Sequence, residues 1–288
     1  MCEDRKSSAK WLGSSLYGHL RLWVYSLRTN MMAVFILLLA FMLVKGQEQV
    51  MSAYGYENVY LGETLFIYIN SGFNLSMTTV GLLVMMSEIP KRVAYQHYTL
   101  MRLSRGKWLA ALVIFCIGVV LAFTLLLTIL SALLSLSFVT PGSGWSDLER
   151  ITNDPYAVYE PMLVPEFVRE VSPVTACMLA LTILFFFWVT LVLLILQFSL
   201  WGVPNFGLVL CVSLVMAHIT ILFESLPGLS DFLPTRYATL SAVAGQVKEH
   251  QFRHALFVIA CYIVADTCLI ALMAARVQRM DIQFTGKG

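Results

Sequence analysis

The sequence predicts an all-α membrane protein with six transmembrane helices, both termini in the cytosol and an amphipathic interfacial helix before the first span. Three observations carry that prediction. Hydrophobic residues make up 59% of the 288 positions and charged residues only 12%, where a soluble domain holds roughly 45–50% and ~25%. So little polar surface cannot clothe that apolar mass in water, which excludes a soluble globule. The charges are also missing from long windows, and the basic residues collect on alternate sides of those windows. The net charge of +2 hides this sorting and says little about partners.

A bilayer core of ~30 Å asks for ~20 mostly apolar residues per helix, and the windows supply six such helices. The spans fall at about 29–47, 64–87, 108–138, 173–200, 206–226 and 255–275. Span one rests on the fourteen apolar residues from Met31 to Val44, extended by Thr29, Asn30 and a snorkelling Lys45. Span two occupies 24 uncharged residues (64 to 87), and span three opens a run of 39 (108 to 146). The next window, 171 to 223, holds 53 uncharged residues and as one helix would measure about 80 Å. It must fold back, and Gly202 and Pro204 supply the break between spans four and five. Span six contains one charge, Asp266.

Orientation follows from the flanking basic residues. With the N-terminus inside, the cytosolic parts are the N-terminal segment 1–28, the loop 88–107, the turn near 201–206 and the tail 277–288. Counted with the span ends, the inside carries thirteen basic residues against four acids, and the outside six against twelve. The outer segments are 139–172 and 227–253. No cleavable signal peptide is expected, because the first apolar stretch begins only at Met31. Cys116, Cys177, Cys211, Cys261 and Cys268 all fall within spans without a CxxC pair, and read as small apolar residues. Asn74-Leu-Ser76 fits a glycosylation sequon but lies inside a span.

In the N-terminal segment, Leu12, Leu16, Leu20, Trp23 and Leu27 recur on one helical face flanked by Lys10, Arg21 and Arg28. That pattern predicts a helix lying on the cytosolic surface. The loop 88–107 is long for a mere turn. Pro90 can open a helix there, Gly106 can close it, and Tyr95, His97, Tyr98, Arg102 and Arg105 offer aromatic and cationic side chains. Such a helix suits either a soluble partner or a plain positive-inside anchor.

The order of these parts resembles the membrane-spanning permease subunit of a type-2 ATP-binding cassette (ABC) transporter: an amphipathic helix, two spans, a cytosolic loop ending in Arg-Leu-Ser-Arg-Gly-Lys-Trp108, a long third span and three more. The resemblance covers nearly the whole chain in architecture and 88–108 in local pattern. It implies that the loop is a coupling helix seated in a groove of an ATPase, with Glu88, Arg92, Tyr98, Arg102 and Arg105 transmitting or stabilising the docking. It implies two permease subunits, as a homodimer or heterodimer, and two ATPases, in a bacterial cytoplasmic membrane. The chain itself lacks a phosphate loop, because Met101 stands where Gly106-Lys107 would need a glycine five residues earlier. No cofactor is expected on it. ATP and Mg would sit on the partner ATPase, and no nucleic-acid partner is expected.

An ionisable group at mid-bilayer costs ~2.5–3.5 kcal/mol on insertion scales, and so marks a candidate site. Asp266 and His218 lie near the middle of spans six and five, and Asn74 near the middle of span two. Asn70, Asn74, Thr78 and Gly81 form a polar, small-residue stripe that should face inward. These residues either line a translocation path between subunits or form a packing device, with Asp266 neutral or bonded to Tyr262 or His218. His250 and His254 beside Glu249 are too few to argue a metal site, and none is expected. Outside, Ser146-Asp-Leu-Glu149 fits a capping box that would start a short helix.

The leading expectation is an ABC permease exporting an amphipathic or hydrophobic cargo, not itself an enzyme. The alternatives are a non-transporting membrane binding or immunity protein, and an intramembrane enzyme using Asp266, His218 or the outer histidines. Neither HExxH nor GxSxG occurs to support the enzyme. A proton-driven transporter working through Asp266 would want broken helices in a three-plus-three repeat, which is not evident.

Overall fold

The computed structural model describes residues 27–53, 60–70, 72–88, 104–137, 139–140, 142, 144–145, 171–224, 234–240, 243 and 251–279. Its helices in chain order are α1 (Leu27–Ala53), α2 (Leu61–Asn70), α3 (Gly72–Met86), α4 (Arg105–Ser135), α5 (Pro173–Leu200), α6 (Pro204–Glu224), a 3-10 helix (Pro234–Ala238) and α7 (Gln251–Arg279). No strand occurs among the described residues, and a single β-bridge joins Tyr60 to Thr140. Of these helices α4, α5 and α7 are long and apolar enough to cross a membrane, and α2 with α3 makes a fourth if that bent pair is one span. The chain is therefore an all-helical, multi-pass membrane protein. The expected amphipathic helix before Leu27, the outer capping box at Ser146 and most of the 88–107 loop lie outside the described residues.

Two boundaries differ from the sequence reading. The second span is interrupted: Leu61–Asn70 and Asn74–Met86 meet at 69°. Asn70 and Gly72 flank the break, and both are poor helix formers: glycine loses the most backbone entropy in a helix, and the asparagine side chain competes for backbone hydrogen bonds. The third long helix starts early, at Arg105, after an extended Ser104 (φ −63, ψ 146). Gly106 therefore lies in the first turn of α4 and does not close a preceding helix.

Helix α5 is the axis of the bundle. Ser172 caps it, its hydroxyl accepting from the Thr175 amide at 3.3 Å, and Pro173 takes the first turn, where a missing N–H costs nothing. From Phe187 to Leu200 every residue is buried except the half-buried Thr190, Leu194 and Phe198, which recur every four residues on one stripe. A helix apolar all round belongs inside. By contrast α7 turns most of its surface outward, with Phe257 and Val264 more than 60% exposed. In a bilayer that face meets lipid.

The two ends of the bundle are built differently. At one end Tyr60 lies against Gly142, the Trp145 indole donates to the Val171 carbonyl at 2.7 Å, and Phe66 meets Trp145 edge to face at 5.8 Å. At the other, α5 ends and α6 begins across three residues, with Gly202 at φ +84, a conformation that favours glycine. Phe198 stacks edge-on with Trp201 (5.6 Å) and Phe206 (4.9 Å) beside that turn.

Gly207 lets α6 close onto α5. A β-carbon there would sit 2.9 Å from the Ile195 Cα and 3.0 Å from the Phe198 Cβ. Gly207→Ala is therefore expected to cost ~1–3 kcal/mol by overpacking, seen as a lower thermal unfolding midpoint in detergent. Gly118→Ala, whose new methyl would meet nothing within 4 Å, should leave the midpoint unchanged or raise it.

Candidate functional site

The polar interior is organised around the break between α2 and α3. Ending a helix inside a membrane strands its last carbonyls, which lipid cannot satisfy. Asn74 answers that need: its side-chain amide donates to the Tyr68 carbonyl at 3.1 Å. The hydroxyls that follow return to their own helix. Ser76 donates to the Gly72 carbonyl at 2.8 Å, Thr78 to those of Asn74 and Leu75 at 2.7 and 3.0 Å, and Thr79 to that of Leu75 at 2.6 Å. Asn70, Asn74, Thr78 and Gly81 are all buried.

One turn of α5 then reaches across to its neighbours. The Trp188 indole N–H donates to the Thr79 hydroxyl at 2.9 Å, and the ring sits edge-on to Phe123 of α4 at 5.0 Å. Thr190 donates to Asp266 Oδ1 at 2.7 Å. Cys211 of α6 donates weakly to the Leu191 carbonyl at 3.6 Å, and Phe187 meets Tyr262 of α7 at 6.2 Å. The four helices α3, α4, α6 and α7 are thus each joined to residues 187–191.

Asp266 is buried, and its hydrogen-bond partner is Thr190, not Tyr262 or His218. A local search could not find that partner, because Thr190 lies 76 residues away in the most uniformly apolar window of the chain. His218 is buried and neither ring nitrogen has a hydrogen-bond partner among the described residues, so no bond joins it to Asp266. Asp266 Oδ2 and both amide atoms of the buried Gln197 likewise lack partners among the described residues. Trp188, Thr79 and Thr190 escaped the sequence reading, and their only signal was a polar atom inside an otherwise apolar run. Glu63, read as an outer acid bounding span two, is wholly buried in the first turn of α2, where a helix N-terminus favours negative charge.

The residues assigned to docking are placed only in part. Glu88 is half-exposed just beyond α3, while Arg92, Tyr98 and Arg102 lie outside the described residues. Arg105 is half-exposed and its Nη1 donates to the Gln278 carbonyl at 2.8 Å. It thereby ties the start of α4 to the last turn of α7 and satisfies one of the carbonyls that a helix C-terminus leaves open. His254 stacks on Phe257 in α7, and among the described residues no three His, Cys, Asp or Glu side chains gather as a metal would require.

Comparison with known proteins finds no matching family model, no matching curated protein and no matching solved structure.

The Asp266–Thr190 bond can be weighed by a double-mutant cycle. Thr190→Val leaves the buried carboxyl without a donor and is expected to cost ~1–2 kcal/mol. Asp266→Leu removes the acceptor at nearly the same side-chain shape, leaves Thr190 its own bond to the Phe186 carbonyl at 2.9 Å, and should cost less. Thermal unfolding of the two single variants and the double variant should give a coupling of ~1 kcal/mol; additive effects would show that the bond contributes nothing.

Proposed function

We propose that this chain is the permease subunit of an ABC exporter, with six spans, cytosolic termini and a separate ATPase that binds ATP and Mg. The observation that carries the reading is the tie from Arg105 to Gln278. The cationic loop 88–107 runs into the first turn of α4, where Arg105 joins α4 to α7, so a force applied to that loop reaches two long helices at once. Closure of the ATPases on ATP would push on the loop, and rigid helices would convert that push into an opening between two permease subunits. An amphipathic or hydrophobic cargo would pass beside the polar groups of α3, α5 and α7. The sequence pattern of the loop, with Glu88, Arg92, Tyr98 and Arg102, supports a docked ATPase in the cytosol.

A non-transporting membrane binding protein is the second reading. It is favoured by the hydroxyls of Ser76, Thr78 and Thr79, whose bonds to their own helix leave them a structural role.

Co-expression with an ATPase from a neighbouring reading frame, the partner that the first reading requires, separates the two. Arg102→Glu is expected to abolish co-purification of the ATPase. Arg105→Gln should keep the complex but lower cargo-stimulated ATP turnover about tenfold, a size typical of coupling between sites. Full association and turnover in both variants would refute the coupling assignment.

A further inference from the structure

A cavity of about 360 Å³ runs between α4 and α7 near the Arg105–Gln278 tie, within the range of ~300–1,000 Å³ usual for small-ligand sites. Its walls are aliphatic: Ala110, Val113 and Ile114 on α4 face Ile270, Ala274 and Val277 on α7. Gly106 and Gln278 lie at the end nearest the tie. The groove is open because small residues edge it; a β-carbon on Gly106 would meet nothing within 4 Å.

Two further observations say what fits it. Ala110, Ile114, Gly118, Leu121 and Leu125 follow one another at spacings of three and four and are all exposed. They form a continuous outward face of α4 whose margin is the groove, so whatever enters comes from the hydrocarbon side. The polar end of the groove is cationic. Arg105 and Lys107 flank Gly106, Arg276 and Arg279 occupy the last turn of α7, and neither 104–137 nor 267–279 contains an acid. A symmetric contact with a second copy of this chain would set that cationic end against itself. An anionic amphiphile would be attracted to it.

We propose that this groove binds one anionic glycerophospholipid of the adjacent leaflet, with an acyl chain between α4 and α7 and the phosphate at Arg105 and Lys107. The lipid would brace the junction of the two helices at the end where Arg105 already joins them. This inference rests on embedding in a bilayer and not on the transporter reading, and loss of either leaves the other standing.

The test is native mass spectrometry of the full-length chain in mild detergent, titrated with phosphatidylglycerol or phosphatidylcholine. One phosphatidylglycerol per chain should survive activation that strips phosphatidylcholine. Lys107→Gln should weaken phosphatidylglycerol retention about fivefold, the factor expected for one basic side chain at a lipid surface, and leave phosphatidylcholine unmoved. Ala110→Trp, which fills the groove, should abolish specific retention, while Leu121→Trp, on the same face beyond the groove, should not. Should Ala110→Trp fail to fold, Lys107→Gln decides alone. Equal retention of both lipids by the unmodified chain and by Lys107→Gln would overturn the proposal. So would an Ala110→Trp variant that breaks an oligomer while lipid retention stays the same, since the groove would then be an interface between copies.

Discussion

Inside a bilayer the hydrophobic effect does little to choose one helix contact over another, because lipid tails are as apolar as leucine. Directional contacts must fix which helices meet and in what register. Here they converge on the turn of α5 from Phe187 to Leu191, where an indole N–H, a hydroxyl and a carbonyl each engage a different helix and two rings engage further surfaces. The indole and hydroxyl donors are strong groups in a medium that offers no competing water, so their bonds discriminate against other registers. Trp188 is the centre of this arrangement: it is fully buried, anchored at its nitrogen by Thr79 and packed edge-on against Phe123.

The break between α2 and α3 is the second constraint, and it explains why the chain keeps so many polar side chains at this depth. A bent span exposes carbonyls to a medium that cannot solvate them. Asn74 takes one of these, and Ser76, Thr78 and Thr79 bond carbonyls of the turns that follow. These groups are satisfied, whereas Asp266 Oδ2, His218 and Gln197 hold buried polar atoms that are not. Groups of the first kind maintain the bent backbone; those of the second hold hydrogen-bonding capacity that the described residues leave unused.

The helical character of the chain and its membrane environment were legible because they rest on composition and on window length, which no tertiary contact can override. The turn after Trp201 was legible for a local reason as well, since Gly202 and Pro204 break a helix whatever surrounds them. The break at Asn70–Gly72 was not. Asn70 and Asn74 were noticed as a polar stripe, but the same residues serve a straight helix and a bent one, and only the bond from Asn74 to Tyr68 distinguishes them. The same limit applies to the candidate site. Burial of Asp266 followed from its depth, but its partner on α5 depended on which helices are neighbours, and that lies in packing over 76 residues of separation. Arg105 carried a similar ambiguity: an arginine before a span suits a docking surface or a helix end, and the structure joins it to Gln278.

The two helix pairs at the cytosol-proposed end differ in stiffness. Helices α5 and α6 are linked by three residues and touch through Gly207 with no room for a methyl, a contact that favours their acting as a single strut. Helices α4 and α7 are held near that end by one arginine hydrogen bond with an aliphatic gap behind it. A load delivered there would bend the looser pair first, with the α5–α6 strut serving as the fulcrum.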